Sequence, residues 1–335
     1  VSRPWLAPLA ALYGAAVAAK NLAYEREWLG AEQLSWPVAS VGNLSVGGAG
    51  KTPLTIRLAE LLKAEGIAVD VLSRGYGRSS RSVEQVDPDG DAGRFGDEPL
   101  LIARRAGVPV FVGASRHEAG LFAEERERRF HERRPSAHLL DDGFQHRRLA
   151  RAAEIVIVHR SDFAERLLPA GRLREPLAAL RRADFVVLRD QDGEFEARLR
   201  QIGCAAPVWW MRRSLELPPE LATARRPLAF CGIARPEEFF AALASAGCSP
   251  VEAISFGDHH RYAGADMERL IRVASDRRAD AFVTTEKDAV RLGDGLRQLL
   301  VRAAPLRVAP LRVSLRDEGE VVRQLLLKLR LPSAR

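Results

Sequence analysis

Cysteine is scarce. Only Cys204, Cys231 and Cys248 occur, far apart and with no Cys-x-x-Cys pair. That spacing excludes a disulfide framework and a thiolate-rich structural zinc site, and it fits a reducing compartment. No signature of a DNA- or RNA-binding module occurs, so nucleic acid is not an expected partner. A long apolar run is missing from the N-terminus too. The uncharged stretch PWLAPLAALYGAAVAA lies between Arg3 and Lys20, and as a helix it reaches about 24 Å, short of the ~30 Å hydrocarbon core.

What is present is a globular composition. The chain is 47% hydrophobic and 28% charged, which excludes disorder over most of its 335 residues. That length suits one or two domains. The net charge is +7 and the pI about 9.7, with Arg far outnumbering Lys. Such an excess favours an anionic partner, although a general enrichment in arginine has the same effect.

In the first segment Trp5, Leu9, Leu12 and Val17 are separated by alanine-rich turns, and Trp5 and Tyr13 suit a headgroup boundary. Three readings compete: a short or monotopic anchor, a cleaved signal peptide, and a buried core helix. The AVAA before Lys20 resembles a cleavage site. Of these, residues 1–20 are read as a membrane-associating helix, with a buried core helix as the next reading.

The strongest signal is WPVASVGNLSVGGAGKTPLTIRLAELLKAEG. Residues 37–41 read as a buried strand running into a glycine-rich turn. From Thr52 onward, Leu54, Leu58, Leu61 and Leu62 recur at helical spacing, and Gly66 is placed to stop the helix. Strand, glycine loop, Lys-Thr and helix let backbone N–H groups wrap a polyphosphate at a helix N-terminus. Gly47, Gly48, Ala49 and Gly50 form the expected cradle. Lys51 reaches the β- and γ-phosphates, and the Thr52 hydroxyl ligates Mg²⁺. Ser45 stands where the G-x-x-x-x-G-K-[ST] pattern has its first glycine, which makes this a variant loop. The alternative is an ordinary glycine turn followed by Lys-Thr.

A phosphate loop needs a carboxylate at the end of a neighbouring strand. SAHLLDDGFQHRRL supplies an apolar run, Ala137 to Leu140, ending in Asp141 and Asp142. Two acids there need a cation or hydrogen-bond donors, so they are expected near the metal. An Asp-Asp-Gly turn would use the same residues. Other loops carry charge: SRGYG after AVDVL, FGDEP before a helix, Arg116 after VPVFVGA, and LPAGRLREP at 168–176. Taken alone, Asp97 of FGDEP reads as a helix N-cap. All these loops fall where the carboxyl edge of a parallel sheet binds ligands.

After the strand-like DFVVL, PVWWMRRSLELPPEL suggests extended structure, and from Arg226 a new α/β pattern begins. The expectation is an α/β protein in three parts. Residues 1–20 are the apolar helix, 21–220 a P-loop domain with a largely parallel sheet, and 221–335 a smaller α/β lobe. Two adjacent histidines, His259 and His260, have no Cys or His cluster to make them a metal site. TEKD has its Lys in the wrong place for the guanine-reading NKxD. The charge-rich AGLFAEERERRFHERR reads as a solvated face.

Taken in order, GNLSVGGAGKTP, SRGYGR, GDEP, LLDDGFQH, LPAGRLREP, FGDHHRY and TTEKDA run from residue 42 to 290. A chain with these motifs resembles the tetraacyldisaccharide 4′-kinase family, the lipid A 4′-kinases of Gram-negative bacteria. The resemblance implies ATP and Mg²⁺ as cofactors. It implies a tetraacylated glucosamine disaccharide 1-phosphate as acceptor, at the anionic cytoplasmic surface of the inner membrane, and points to no protein partner. It also implies that Asp97 activates the acceptor hydroxyl with His259 as its partner. Lys51 and Thr52 then serve nucleotide and metal, Asp141 and Asp142 lie near the metal, and Arg74, Glu98, Arg116, Gln145, Arg174 and Glu175 line the site. Arg172 stands where the family's motif has a second proline.

Overall fold

Apolar runs alternating with helices build a parallel sheet, and the first of those runs lies at its centre. The computed structural model describes residues 3–48, 50–130, 134–221 and 224–332. The chain begins with α1 (Ala7–Glu25), β1 (Val38–Asn43), α2 (Lys51–Ala64) and β2 (Ala68–Ser73). There follow β3 (Glu84–Gln85), α3 (Ala92–Phe95), α4 (Asp97–Ala106), β4 (Val110–Val112), α5 (Arg116–Phe130) and β5 (Ser136–Asp141). Next come β6 (Ala153–Ile157), β7 (Phe185–Arg189), α6 (Phe195–Gln201) and β8 (Val208–Leu215). The remainder is β9 (Pro227–Cys231), α7 (Pro236–Ser245), β10 (Glu252–Ser255), α8 (Gly264–Asp276), β11 (Ala281–Thr285), α9 (Glu286–Ala303), β12 (Leu306–Ala309), β13 (Leu311–Leu315) and α10 (Glu318–Leu329).

Two sheets result. The larger has the order β13-β8-β7-β6-β1-β5-β2-β4-β3, and only its two edge strands, β3 and β13, run antiparallel to their neighbours. β1 and β5 are buried along their whole length, as strands covered on both faces must be. One core joins this sheet to side chains of α2, α4 and α10, including Leu54, Leu58, Leu100 and Leu325. The smaller sheet, β10-β9-β11-β12, is all parallel and has its own core around Leu228, Phe230, Phe282 and Leu270. The chain then returns. β13 pairs with β8, and α10 buries Val321, Val322, Leu325 and Leu326 in the first core. Residues 311–329 therefore complete the large sheet rather than the small one.

Helix α1 continues past Lys20 to Glu25. Lys20 Nζ donates to the Gln145 carbonyl at 3.3 Å, and Asn21 Nδ2 to Glu175 Oε2 at 2.8 Å, so its polar end is tied to the body. Its leucines Leu9, Leu12 and Leu22 are exposed. Trp5 is 74% exposed, Leu9 53% and Leu12 68%, and Ala10 is the buried member of the helix. Among the described residues no helix is long and apolar enough to cross a membrane.

Candidate active site

The loop between β1 and α2 takes its shape from two glycines and from a distant strand-like segment. Gly47 (φ 104°) and Gly50 (φ 95°) occupy left-handed backbone that glycine adopts without strain, and Gly50 caps α2. Ser45 is buried but keeps a negative φ, so the first-glycine position makes no demand for glycine here. Bracing comes from residues 172–174 instead. Val46 N donates to the Arg172 carbonyl at 2.8 Å, and Arg174 N to the Leu44 carbonyl at 2.7 Å. The Arg172 guanidinium donates to the Val46 carbonyl through Nε (3.2 Å) and Nη2 (2.9 Å). Lys51 Nζ donates to Asn43 Oδ1 at 3.0 Å and lies 3.4 Å from Asp142 Oδ1. Thr52 is buried in the first turn of α2. Gly48 lies within the loop, and Ala49 is outside the described residues.

The adjacent strand delivers the acids. Asp141, the last residue of β5, pairs in register with Val41 of β1 and accepts from Thr55 Oγ1 at 3.1 Å. Burial, then the negative charges of Glu98 and Asp142, push its pKa up to about 7. Asp142 turns out of the strand at φ 52°. Arg174 Nη1 donates to both of its oxygens, at 3.0 and 3.1 Å. Burial would raise the Asp142 pKa, but the Lys51 and Arg174 charges outweigh it and hold the carboxyl below its ordinary value. Gln145 links the two halves: its Oε1 accepts from Arg174 at 3.2 Å and its Nε2 donates to the Asn43 carbonyl at 2.9 Å.

Arg116, first residue of α5, is buried with its Nε unpartnered. Burial and the neighbouring charge of exposed Arg74 lower its pKa to about 10, against the pull of Asp142 and Asp141. Glu175 is placed differently from the other expected lining residues. It is buried between Asn21 of α1 and Arg182, whose Nη2 donates to it at 2.7 Å.

Asp97 opens α4, and it is not the cap. Gly96 takes that position at φ 91° with no side-chain capping bond. The Asp97 side chain is buried and points to the second lobe, where His259 Nδ1 lies 3.2 Å from its Oδ2. Arg291 of α9 donates to the same oxygen through Nε (2.7 Å) and Nη2 (2.5 Å). Burial would raise the Asp97 pKa, but the His259 hydrogen bond and the charges of Arg291 and Lys287 hold it well below the usual carboxylate range. In return, the hydrogen bond to Asp97 raises the His259 pKa against the effect of burial. His259 itself has φ 55°, in the left-handed region, and its ring meets Tyr76 edge-on at 5.7 Å between centroids.

This arrangement of loop, acids and two-lobed carboxylate site coincides with whole-chain likenesses. The family model described as tetraacyldisaccharide-1-P 4′-kinase matches residues 2–330. The chain belongs to the tetraacyldisaccharide 4′-kinase family. A relative of that name from Koribacter versatilis is 48% identical over 92% of this chain and 94% of its own. One from Geobacter metallireducens is 39% identical over 91% and 93%. Among solved structures, LpxK from Aquifex aeolicus, crystallised in complex with ATP, superposes with a TM-score of 0.76. It is 31% identical, with 98% of this chain and 99% of that chain covered.

Within this 4′-kinase fold, two cations escape a reading of motifs. Lys287 Nζ donates to Glu98 Oε1 at 2.5 Å, and Arg291 grips Asp97 as described. Lys287 sits inside TTEKDA and Arg291 just beyond it, so the run was visible. Nothing local says that it faces GDEP, because that contact exists only once the lobes meet. Glu238 of α7 makes a second tie between the lobes, accepting from Arg189 at 2.7 Å and Arg213 at 3.1 Å.

Proposed function

We propose that this chain transfers the γ-phosphoryl group of ATP to the 4′-hydroxyl of a tetraacylated glucosamine disaccharide 1-phosphate, a step of lipid A biosynthesis. The observation that carries this reading is the meeting of two sites. A phosphate loop with Lys51 faces the Asp141–Asp142 pair, and the neighbouring Asp97-Glu98 dipeptide is met from the other lobe by His259. Glu98 feels the charge of Lys51, which ties the two sites electrostatically.

Phosphoryl transfer asks the protein to position reactants and to stabilise charge. The acceptor oxygen forms a bond to the γ-phosphorus as the bond to the bridging oxygen of ADP breaks. Lys51 neutralises charge on the transferring group. The hydroxyl proton passes to the Asp97 carboxylate, which His259 orients. Arg74 and Arg116 supply positive charge near Asp141 and Asp142, and the unpartnered Arg116 Nε suits an anionic oxygen.

The donor set also suits Mg²⁺. Thr52, Asp141 and Asp142 offer hard oxygen ligands, and a buried Asp141 with its pKa near 7 is a site short of positive charge. Among the described residues no three His, Cys, Asp or Glu side chains form a complete cage, which fits a cation that keeps water and phosphate ligands. When bound, Mg²⁺ would offset charge on the phosphate oxygens.

The unburied Trp5, in the turn just before α1, and Leu9 and Leu12 within the helix support attachment to a membrane surface, and the net charge of +7 favours an anionic one. The cytoplasmic face of the inner membrane is the surface that offers both ATP and the lipid. With an N-terminal helix, a P-loop domain and a smaller lobe that begins near residue 221 and ends before β13, the reaction runs in the cleft between the lobes. The deciding experiment supplies Mg-ATP and the disaccharide lipid to the purified protein. Lipid-dependent ADP release matched by phosphorylated lipid supports the kinase. ADP release without phosphorylated lipid means a nucleotide switch.

A further inference from the structure

His259 is one of two second-lobe residues on Asp97, and it is the less firmly held. Its ring is about one-third exposed, whereas the Arg291 side chain is 7% exposed. The Arg291 fork is itself fixed from behind. Its Nη1 donates to the Gly232 carbonyl at 2.6 Å and to Asp288 Oδ1 at 3.2 Å. Asp288 is fully buried and accepts from Gly232 N at 2.9 Å, Tyr262 Oη at 3.0 Å and Thr285 Oγ1 at 2.6 Å. A charged fork locked this way has little freedom left to lose when it binds a carboxylate. All three contacts from Arg291 and His259 fall on Asp97 Oδ2.

We infer that Arg291 is a positioning residue for phosphoryl transfer, holding Asp97 by Oδ2 so that Oδ1 is presented to the acceptor hydroxyl as an ionised oxygen. The inference rests on the reading of Asp97 as the proton acceptor. Its physical basis is desolvation. A carboxyl as buried as Asp97 tends to keep its proton, and a protonated Asp97 would donate to the hydroxyl rather than accept from it. The charged groups around it are Arg291 and Lys287 from α9, His259 from the loop after β10, and its neighbour Glu98. Lys287 is engaged with Glu98, and His259 is an imidazole, which can give up its charge where a guanidinium cannot. Arg291 is the cation that stays charged at every pH and lies directly on the carboxylate.

The test is steady-state kinetics of the full chain in detergent, across pH, with Mg-ATP and the disaccharide lipid. Arg291→Gln should lower kcat by on the order of tenfold to a hundredfold, the loss expected for one charge-assisted contact. The KM for ATP should stay within about twofold, since Arg291 bonds to Asp97, Gly232 and Asp288 rather than to the loop between β1 and α2. The acidic limb of kcat/KM should move to higher pH, because Asp97 loses a counter-charge. Arg291→Lys should return the limb toward its wild-type position while leaving kcat below wild type, and millimolar guanidinium should restore part of the rate of Arg291→Ala.

Should the Gln and Ala variants fail to fold, Arg291→Lys carries the test: a lowered kcat with a wild-type Tm and a nearly unmoved limb is expected, and a wild-type kcat, or a kcat loss that follows a lowered Tm, overturns the inference. Wild-type kcat and pH profile in Arg291→Gln overturn the inference. So does a lowered kcat with an unmoved limb in Arg291→Gln and no guanidinium rescue, which is the mark of a merely structural residue. Wild-type protein that makes no phosphorylated lipid overturns the functional reading and this inference together.

Discussion

Lys287, in the first turn of a second-lobe helix, donates to Glu98 of the first lobe at 2.5 Å. With Arg291 and His259 on Asp97, two adjacent acids of one lobe meet three basic side chains of the other. Both members of the Lys287–Glu98 pair are about one-quarter exposed, so solvent screens part of their attraction.

Removing both partners should therefore reveal a moderate coupling. In a cycle of Lys287→Gln, Glu98→Gln and the double variant, urea unfolding should give an interaction energy on the order of 1 kcal/mol. Additive single effects would show that the pair contributes nothing beyond its separate side chains.

Asp97 and His259 should behave as a unit in catalysis. Asp97→Asn and His259→Ala should each depress kcat strongly, with little change in ATP affinity, and the double variant should be scarcely worse than the more damaged single one. Because Gly96 holds the cap position, Asp97→Asn should not act through helix capping. Multiplicative losses would refute a shared role.

How much of this could be read from residues alone differs by element. The β1–loop–α2 unit was legible because strand period, glycines and Lys-Thr are all local. Asp141 and Asp142 were legible because a buried run ending in two acids is chemically conspicuous. The return of β13 to the large sheet was not, since an edge strand after a complete small lobe carries no mark of which sheet it joins. Glu175 bonds to Asn21 and Arg182, and Arg172 braces the loop between β1 and α2 through the Val46 carbonyl, contacts that no local pattern announces. In each case the deciding contact links segments more than a hundred residues apart or depends on how a loop is folded back.

Asp141 links acidity to stability. Its folded pKa of about 7 stands above the ordinary 3.8, so the folded protein holds a proton that the unfolded chain releases between those values. Stability of the nucleotide-free protein should fall as pH rises through that window. Asp141→Asn should remove the dependence and raise Tm at pH 8 more than at pH 5, while abolishing activity. Binding of Mg-ATP to wild type should release a proton near pH 7, seen by calorimetry in buffers of different ionisation heat. Equal Tm changes at the two pH values would contradict the assigned charge state.

The N-terminal helix offers a separation of roles. Replacing Trp5, Leu9 and Leu12 together by Ser should reduce partitioning to anionic vesicles at least tenfold, given roughly 1.5–3 kcal/mol for each large apolar side chain. Activity on detergent-dispersed lipid should persist. Deleting residues 1–20 should also lower that activity, because it removes the Tyr13 hydroxyl that donates to the Arg174 carbonyl at 2.9 Å. Undiminished vesicle binding at high salt in the Ser variant would show that α1 is not the anchor.

The reaction moves phosphate from ATP to one hydroxyl of an acylated disaccharide. It is tested most directly by supplying γ-labelled ATP, Mg²⁺ and the disaccharide 1-phosphate lipid, then locating the label by ³¹P NMR of the recovered lipid. The predicted result is a second phosphomonoester coupled to the proton at the 4′ carbon, lost by about 10²–10³ in the rate of Lys51→Ala as its stabilising charge is removed. Label recovered only as inorganic phosphate, or on any other position of the lipid, would contradict the account.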